Sequence, residues 1–449
     1  MILRRRRKLA ELGGDEKYWI KLLEKLGDES GEAISRLLRI DREYLRNYDE
    51  LIGERRVILP DRGYVGHRVT SEDFRRYAGS LAAGVDSSST PRLRIGTIYF
   101  IAASSACVIF PQGLLGEPYK RLTVEPYHAP DDSNYENSLQ ELKLNMFKEE
   151  LKALDSAYVE LKELLKATRR GNSCFVVLDG PLVDPPIFRP RDPGLDEEYN
   201  MYVAQRVLLI GKLLNIGCRV VGVIKRIIGN HLVRSVLTGN GGERTSDNSD
   251  NRDRGGDISN YLNDFTFVNL LFRKLAISVQ EDVSSNNHYY DVSLLTRPIE
   301  ISGGRSDYER YISKMGSLCE DCRDFTPFRV FHFYILPSVV DLRKRVLGVE
   351  VAVPTSCNRI NKEEVEGEVN ASAIEITRDV GKFLSVWTLP GQPYPLPVLL
   401  AHMSCTIKKK TAKKVLKELI SRFIRDTLVL DEKFGSLHHI AQSVDFLIE

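Results

Sequence analysis

The stretch Leu81-Ala82-Ala83-Gly84-Val85-Asp86-Ser87-Ser88-Ser89-Thr90 sets one carboxylate between a short apolar run and three serines. A second stretch has the same grammar: Cys174-Phe175-Val176-Val177-Leu178-Asp179 ends in an aspartate and is cut off by Gly180-Pro181. Both runs have the length and character of buried strands, and both are followed by residues that favour turns. Ligand sites of open α/β sheets lie outside the carboxyl ends of the strands. If the two strands are parallel neighbours, about 4.8 Å apart, their terminal carboxylates converge. Two anions that close repel each other, and a divalent cation removes the penalty. Either aspartate alone is equally readable as a turn residue, Asp86 capping one turn and Asp179 starting another.

The surrounding pattern decides what kind of sheet holds them. After 81–86 come two further strand-like runs, Arg94–Ala103 and Ala106–Phe110, with links short enough for antiparallel neighbours. A helix is expected over about 138–168, then the strand 174–179, a helix around 200–215, the strand Arg219–Ile224 and a helix from about Ile227. Later β-type runs are Phe328–Leu336 and Val346–Val353, and a helix is expected over Pro397–Thr427 with a short final one. Three antiparallel strands followed by helix-linked parallel ones is the order of a ribonuclease-H-like mixed α/β sheet with flanking helices. Residues 15–55 carry helical periodicity (Trp19, Leu22, Leu23, Leu26, Ile34, Leu37, Leu38), so residues 1–75 are read as a helical N-terminal extension. The core domain then spans 76–430 and a C-terminal helix 431–449. The polar, Gly-rich stretch 239–259 reads as a flexible surface insertion.

A metal centre between two aspartates wants a third acid, and the helix at 138–168 offers Glu149, Glu150, Glu160 and Glu163. Residues three, four and seven apart share a helix face. Glu150 sits among Met146, Phe147, Ala153, Leu154 and Ala157, within the apolar stripe, where a carboxylate is costly unless paired or metal-bound. It is the first choice, with Glu149 at the stripe's edge in reserve.

Composition bounds the rest. Lys plus Arg (64) barely exceed Asp plus Glu (62), so any nucleic-acid site is a local patch. The run Arg4–Lys8 is one candidate, readable also as a solvated basic tail. Lys225, at the end of 219–224, is a second, and Lys408, Lys409 and Lys410 on an exposed helix face, followed by Lys413 and Lys414, are a third; each of these is readable also as a solvated surface lysine. Seven scattered cysteines point to reduced thiols, and Cys319-x-x-Cys322 is only half of a zinc site. No run approaches the ~18 apolar residues of a membrane span, so a soluble, cytoplasmic protein without membrane association is expected. GxxxxGK[ST], HExxH and GxSxG are missing from the sequence, which leaves ATP hydrolysis to another protein.

With these residues in place, the chain resembles the NurA nuclease family of archaea and some bacteria. The resemblance runs in order through Val85–Ser89, the acidic helix around Glu150, Val176–Leu182, Val220–Arg226, Val346–Pro354 and Pro393–His402. It implies a ribonuclease-H-like core and a Mn²⁺-dependent exo- and single-strand endonuclease, with Mg²⁺ as the other oxygen-loving candidate. It also implies a homodimer acting on DNA in double-strand-break end resection beside a HerA-type hexameric ATPase translocase. By the same resemblance the acidic metal ligands are Asp86, Glu150 and Asp179. Tyr394 and His402 are active-site residues, His402 completing the metal shell or shuttling a proton. The chain departs from the family in having Asp86-Ser87-Ser88 where Asp-Gly-Ser is common. The segments 239–259 and 281–325 are not family features. Two alternatives stand beside this reading: a catalytically silent DNA-binding adaptor for a translocase, and a ribonuclease-H-like nuclease acting on RNA or branched DNA.

Overall fold

A computed structural model of the chain describes residues 67–90, 93–95, 98–130, 135–167, 173–182, 190, 192–225, 264, 265, 268, 269, 272, 291–296, 298–301, 311, 324–339, 341, 344–355, 362–407, 411, 414, 418 and 421. By compactness the chain divides into two units, Met1–Ile58 with Arg234–Asp247, and Leu59–Val233 with Asn248–Glu449. Every described residue belongs to the second. The expected helices in 15–55, the basic run 4–8, the helix from Ile227, the 239–259 insertion, Cys319 and Cys322, Lys408–Lys410 and the final helix lie outside the described residues.

The frame is one mixed sheet. Its central strands are β2 (Leu81–Ser89), β6 (Cys174–Asp179) and β7 (Cys218–Ile224), paired in parallel. On one side β2 runs antiparallel to β4 (Ile98–Phe110), which carries β3 (Leu93–Ile95) and β5 (Tyr119–Pro130). On the other, β7 is antiparallel to β11 (Leu347–Pro354), followed by β10 (Phe328–Leu336), β8 (Asp291–Leu295) and β1 (His67–Val69), with β9 (Ile299–Glu300) also on β10. Reading β5-β4-β2-β6-β7 across the sheet gives three antiparallel strands and then two parallel to the first. That is the ribonuclease-H-like order expected from the sequence.

Successive side chains of a strand point to opposite faces, and the two faces are covered by different helices. Leu81, Ala83 and Val85 of β2, with Cys174, Val176 and Leu178 of β6, pack under α2 (Tyr135–Ala167) and α3 (Pro193–Asn215), against Leu154, Ala157, Leu161, Val203, Val207 and Ile210. Ala82, Phe175, Val177, Val221 and Val223 face the other way. They meet α1 (Ser71–Ala78), α4 (Lys362–Trp387) and α5 (Leu396–Cys405). On this side Phe175 stacks on Phe383 at 3.9 Å, Phe110 meets Trp387 edge-on at 5.0 Å, and the Trp387 indole N–H donates to the carbonyl of Tyr77. Each such fully buried aromatic contributes about 1.5–3 kcal/mol relative to exposure. By this alternation Gly84, Asp86 and Asp179 fall on the α5 side.

Several details differ from the reading of the sequence. The first strand does not stop at Asp86: β2 runs on through Ser89, because Ser87, Ser88 and Ser89 pair with β4 and form no turn. Helix α4 was not anticipated. The runs Arg94–Ala103 and Ala106–Phe110 are not two strands: Ile98–Phe110 is continuous. The polar break at Ser104-Ser105 is absorbed because Ser104 donates to the carbonyl of Cys405 and Ser105 bonds the Thr123 hydroxyl. The third antiparallel strand is β5, which the sequence reading passed over. The expected Pro397–Thr427 helix is interrupted: α5 ends at Cys405, Thr406 is extended, and its hydroxyl and N–H both donate to the carbonyl of His402. Among the described residues, helix resumes by Thr411.

Candidate metal centre

The register of β2 on β6 pairs Val85 with Leu178, so Asp86 and Asp179, one residue on, stand at the same level on neighbouring parallel strands. α5 delivers the third group. His402 Nδ1 lies 2.8 Å from Asp86 Oδ2 and 3.4 Å from Asp179 Oδ2. Asp86, Asp179 and His402 each offer a ligand atom, and these atoms lie within 4.8 Å of one another. They are the one such group of three among the described residues.

Two contacts hold α5 over the strand ends. A Cβ on Gly84 would come within 2.1 Å of the carbonyl oxygen of Pro397 and 2.4 Å of its carbonyl carbon. A glycine two residues before Asp86 is therefore what lets the start of the helix lie on β2. At the other end Ser104 of β4 binds the carbonyl of Cys405.

The electrostatics are those of a crowded anion site. Asp86 is 6% exposed, and its carboxyl is pushed up to about 8, first by burial and then by the charge of Asp179, with Glu150 adding to the pressure. Lys225, at the end of β7, pairs with Asp179, and its ammonium sits 4.9 Å from the centre of the Tyr394 ring, a cation–π distance. The Cys405 thiol donates to Asp86 Oδ2 at 3.3 Å. Burial and the neighbouring Asp86 hold that thiol well above its ordinary range, so it serves as a neutral donor.

Of the other residues singled out in the sequence, Glu150 lies outside the triad. It projects from α2, on the face of the sheet opposite α5, and its Oε1 is 2.8 Å from Arg206 Nη1. Glu149, expected at the stripe's edge, is instead wholly buried, accepting from Tyr127 at 2.5 Å and Thr123 at 3.0 Å and pairing with Lys152. It ties α2 to the hairpin strand β5. Glu160 pairs with Arg121 and Glu163 with Lys166. Lys414 is an exposed helical residue. Cys405 and Arg206 were missed. Cys405 had a signal, lying three residues after His402 on one helix face. Arg206 had none, since nothing in the sequence marks an arginine inside an apolar helix as buried.

The donor set fits a divalent cation. Carboxylate oxygens and an imidazole nitrogen are ordinary ligands of divalent metal ions, and a bound cation would relieve the repulsion that lifts the Asp86 carboxyl.

Residues 80–314, more than half of the chain, match the NurA domain. The chain belongs to the NurA family. It is thus a nuclease of a metal-dependent family, and in this NurA protein the Asp86–Asp179–His402 triad lies where β6 ends beside β2, Asp86 standing three residues before the end of its own strand. No curated protein matches the chain. Among solved structures, Ciona intestinalis endonuclease V in complex with a 24mer DNA containing an inosine followed by a ribo-adenosine aligns over 76% of this chain and 87% of its own. The identity is 12% and the TM-score 0.23, and a likeness that weak bears no weight. No helix among the described residues is long and apolar enough to cross a membrane.

Proposed function

We propose that this NurA protein is a Mn²⁺-dependent deoxyribonuclease that trims DNA ends during double-strand-break resection, as a homodimer beside a HerA-type hexameric translocase. The observation that carries the reading is the convergence of Asp86, Asp179 and His402 at one strand-end site.

In this reading Asp86, Asp179 and His402 hold the cation, and Glu150, whose charge bears on Asp86, is the third acid. When bound, the cation supplies charge neutralisation for the phosphoryl oxygens and eases deprotonation of the attacking water. The protein's own groups do the rest. Cys405 donates to Asp86 Oδ2 and fixes the orientation of that carboxylate. His402 is half exposed, so its imidazole also has access to solvent to pass a proton toward the leaving oxygen. Lys225, paired with Asp179 and lying against the Tyr394 ring, would hold its ammonium where a backbone phosphate could meet it. The sequence holds no GxxxxGK[ST] loop, so any ATP-driven translocation would come from a separate motor.

The test is cleavage of end-labelled single- and double-stranded DNA, and of matched RNA, by the purified protein with Mn²⁺, Mg²⁺ or EDTA, beside Asp86→Ala. Mn²⁺-dependent DNA degradation, lost in EDTA and in the variant, is the expected result. Binding of DNA by both proteins without cleavage under any metal, even with a translocase supplied, makes the protein an adaptor instead.

A further inference from the structure

Helix α3 buries an arginine where its neighbours bury Tyr202, Val203, Val207 and Ile210. The Arg206 side chain is 3% exposed, and a guanidinium so placed is costly unless its donors are matched. They are matched to two structures at once. Nη2 donates to the carbonyl of Pro181 at 2.5 Å and Nε to that of Leu182 at 3.2 Å. Nη1 donates to Glu150 Oε1 at 2.8 Å and to the Tyr202 hydroxyl at 2.5 Å. Pro181 and Leu182 belong to the turn that directly follows Asp179. That turn is pressed onto β7, where a Cβ on Gly222 would come within 2.6 Å of the Gly180 carbonyl and 2.9 Å of the Leu182 amide nitrogen.

A guanidinium is planar and rigid, with donors in fixed directions. One plate therefore spans from the turn behind Asp179 on one side to the carboxylate of Glu150 on the other. We propose that Arg206 is the positioning residue of the metal centre: it sets where Glu150 stands relative to Asp179, and acts on the reaction through Glu150. This inference rests on the reading of Glu150 as the third acid. A purely architectural arginine makes the same contacts to Pro181 and Leu182, so the test must separate the two edges of the plate.

Mn²⁺ binding measured by titration calorimetry does so, with cleavage rates alongside, across Arg206→Met, Arg206→Lys, Glu150→Gln and the double variants. Groups that orient a metal's ligands typically change affinity or activity about 10–100-fold when lost. Arg206→Met is expected to weaken Mn²⁺ binding by that amount in the otherwise native protein, and by less than about twofold when Glu150 is already glutamine. Arg206→Lys keeps the charge but not the fork and is expected to fall between. An equal loss in both backgrounds, or none in either, overturns the proposal. Where Arg206→Met fails to unfold cooperatively, Arg206→Lys with and without Glu150→Gln makes the same comparison. Native Mn²⁺ binding and cleavage in Glu150→Gln alone refutes the third-acid reading, which is a separate outcome.

Discussion

Gly84→Ala adds one methyl group to a residue that has no chemistry of its own. The new carbon would lie 2.1 Å from the Pro397 carbonyl oxygen, and real Cβ contacts essentially never fall under 3.0 Å. The start of α5 must therefore retreat from β2 by about 1 Å. The atoms it strikes on Pro397 are all backbone, so no rotamer change relieves it. His402 hangs from the same helix, five residues on, with its Nδ1 2.8 Å from Asp86, and it moves with the helix. Overpacking of this kind costs about 1–3 kcal/mol of stability, while a displacement of about 1 Å in a reacting group costs on the order of 10²-fold in rate. The assay is single-turnover DNA cleavage at saturating Mn²⁺, with thermal unfolding of the same preparation. A cooperative transition at a somewhat lower midpoint, with a rate down about a hundredfold, is expected. Native cleavage by a folded Gly84→Ala protein would refute the claim that α5 is placed by this glycine and that its placement matters to the chemistry.

Three further outcomes follow from the site and the core. The Asp86 carboxyl, raised to about 8 without metal, contributes stability that is complete below the ordinary carboxylate range and is lost as pH rises through about 8. Protein in EDTA should therefore melt lower at pH 8.5 than at pH 5.5 by a margin that shrinks in Asp86→Asn, and Mn²⁺ should raise the midpoint more at pH 8.5; the same margin in Asp86→Asn contradicts this. Lys225→Met should slow cleavage at least about tenfold and reduce the slope of log affinity on log salt by about 0.9, one phosphate contact's worth; an unchanged slope places Lys225 off the DNA. Trp387→Ala removes an indole packed against Phe110 and Phe383 and should lower unfolding stability by about 3–5 kcal/mol in denaturant titration, leaving the Mn²⁺ affinity of the folded protein within twofold.

Much of this was legible because it is local. Leu81–Asp86 and Cys174–Asp179 announce themselves as strands by composition, and the parity of their residues puts both terminal aspartates on one face. What escaped depends on distant partners. Ser104 and Ser105 look like a strand break until Cys405 and Thr123 satisfy them. β5 carries Lys120, Arg121, Glu125 and Pro126 and leaves Leu122 and Val124 exposed, as an outer strand can but a core strand cannot. α4 hides its apolar period, Ala373, Ile376, Val380, Phe383 and Trp387, among β-branched residues and Gly381, which weaken helix propensity. The third acid was the hardest. Glu149 and Glu150 are adjacent in sequence, yet one is sealed against β5 and the other is turned to Arg206. That difference of about 100° around a helix is set by what each face meets, and no spacing rule reports it.

The most direct test of the account is a crystal soaked in Mn²⁺ and measured for anomalous scattering at the manganese edge. The account predicts a peak bonded to Asp86, Asp179 and His402. Manganese bound elsewhere, with those three side chains still paired to one another, would contradict it.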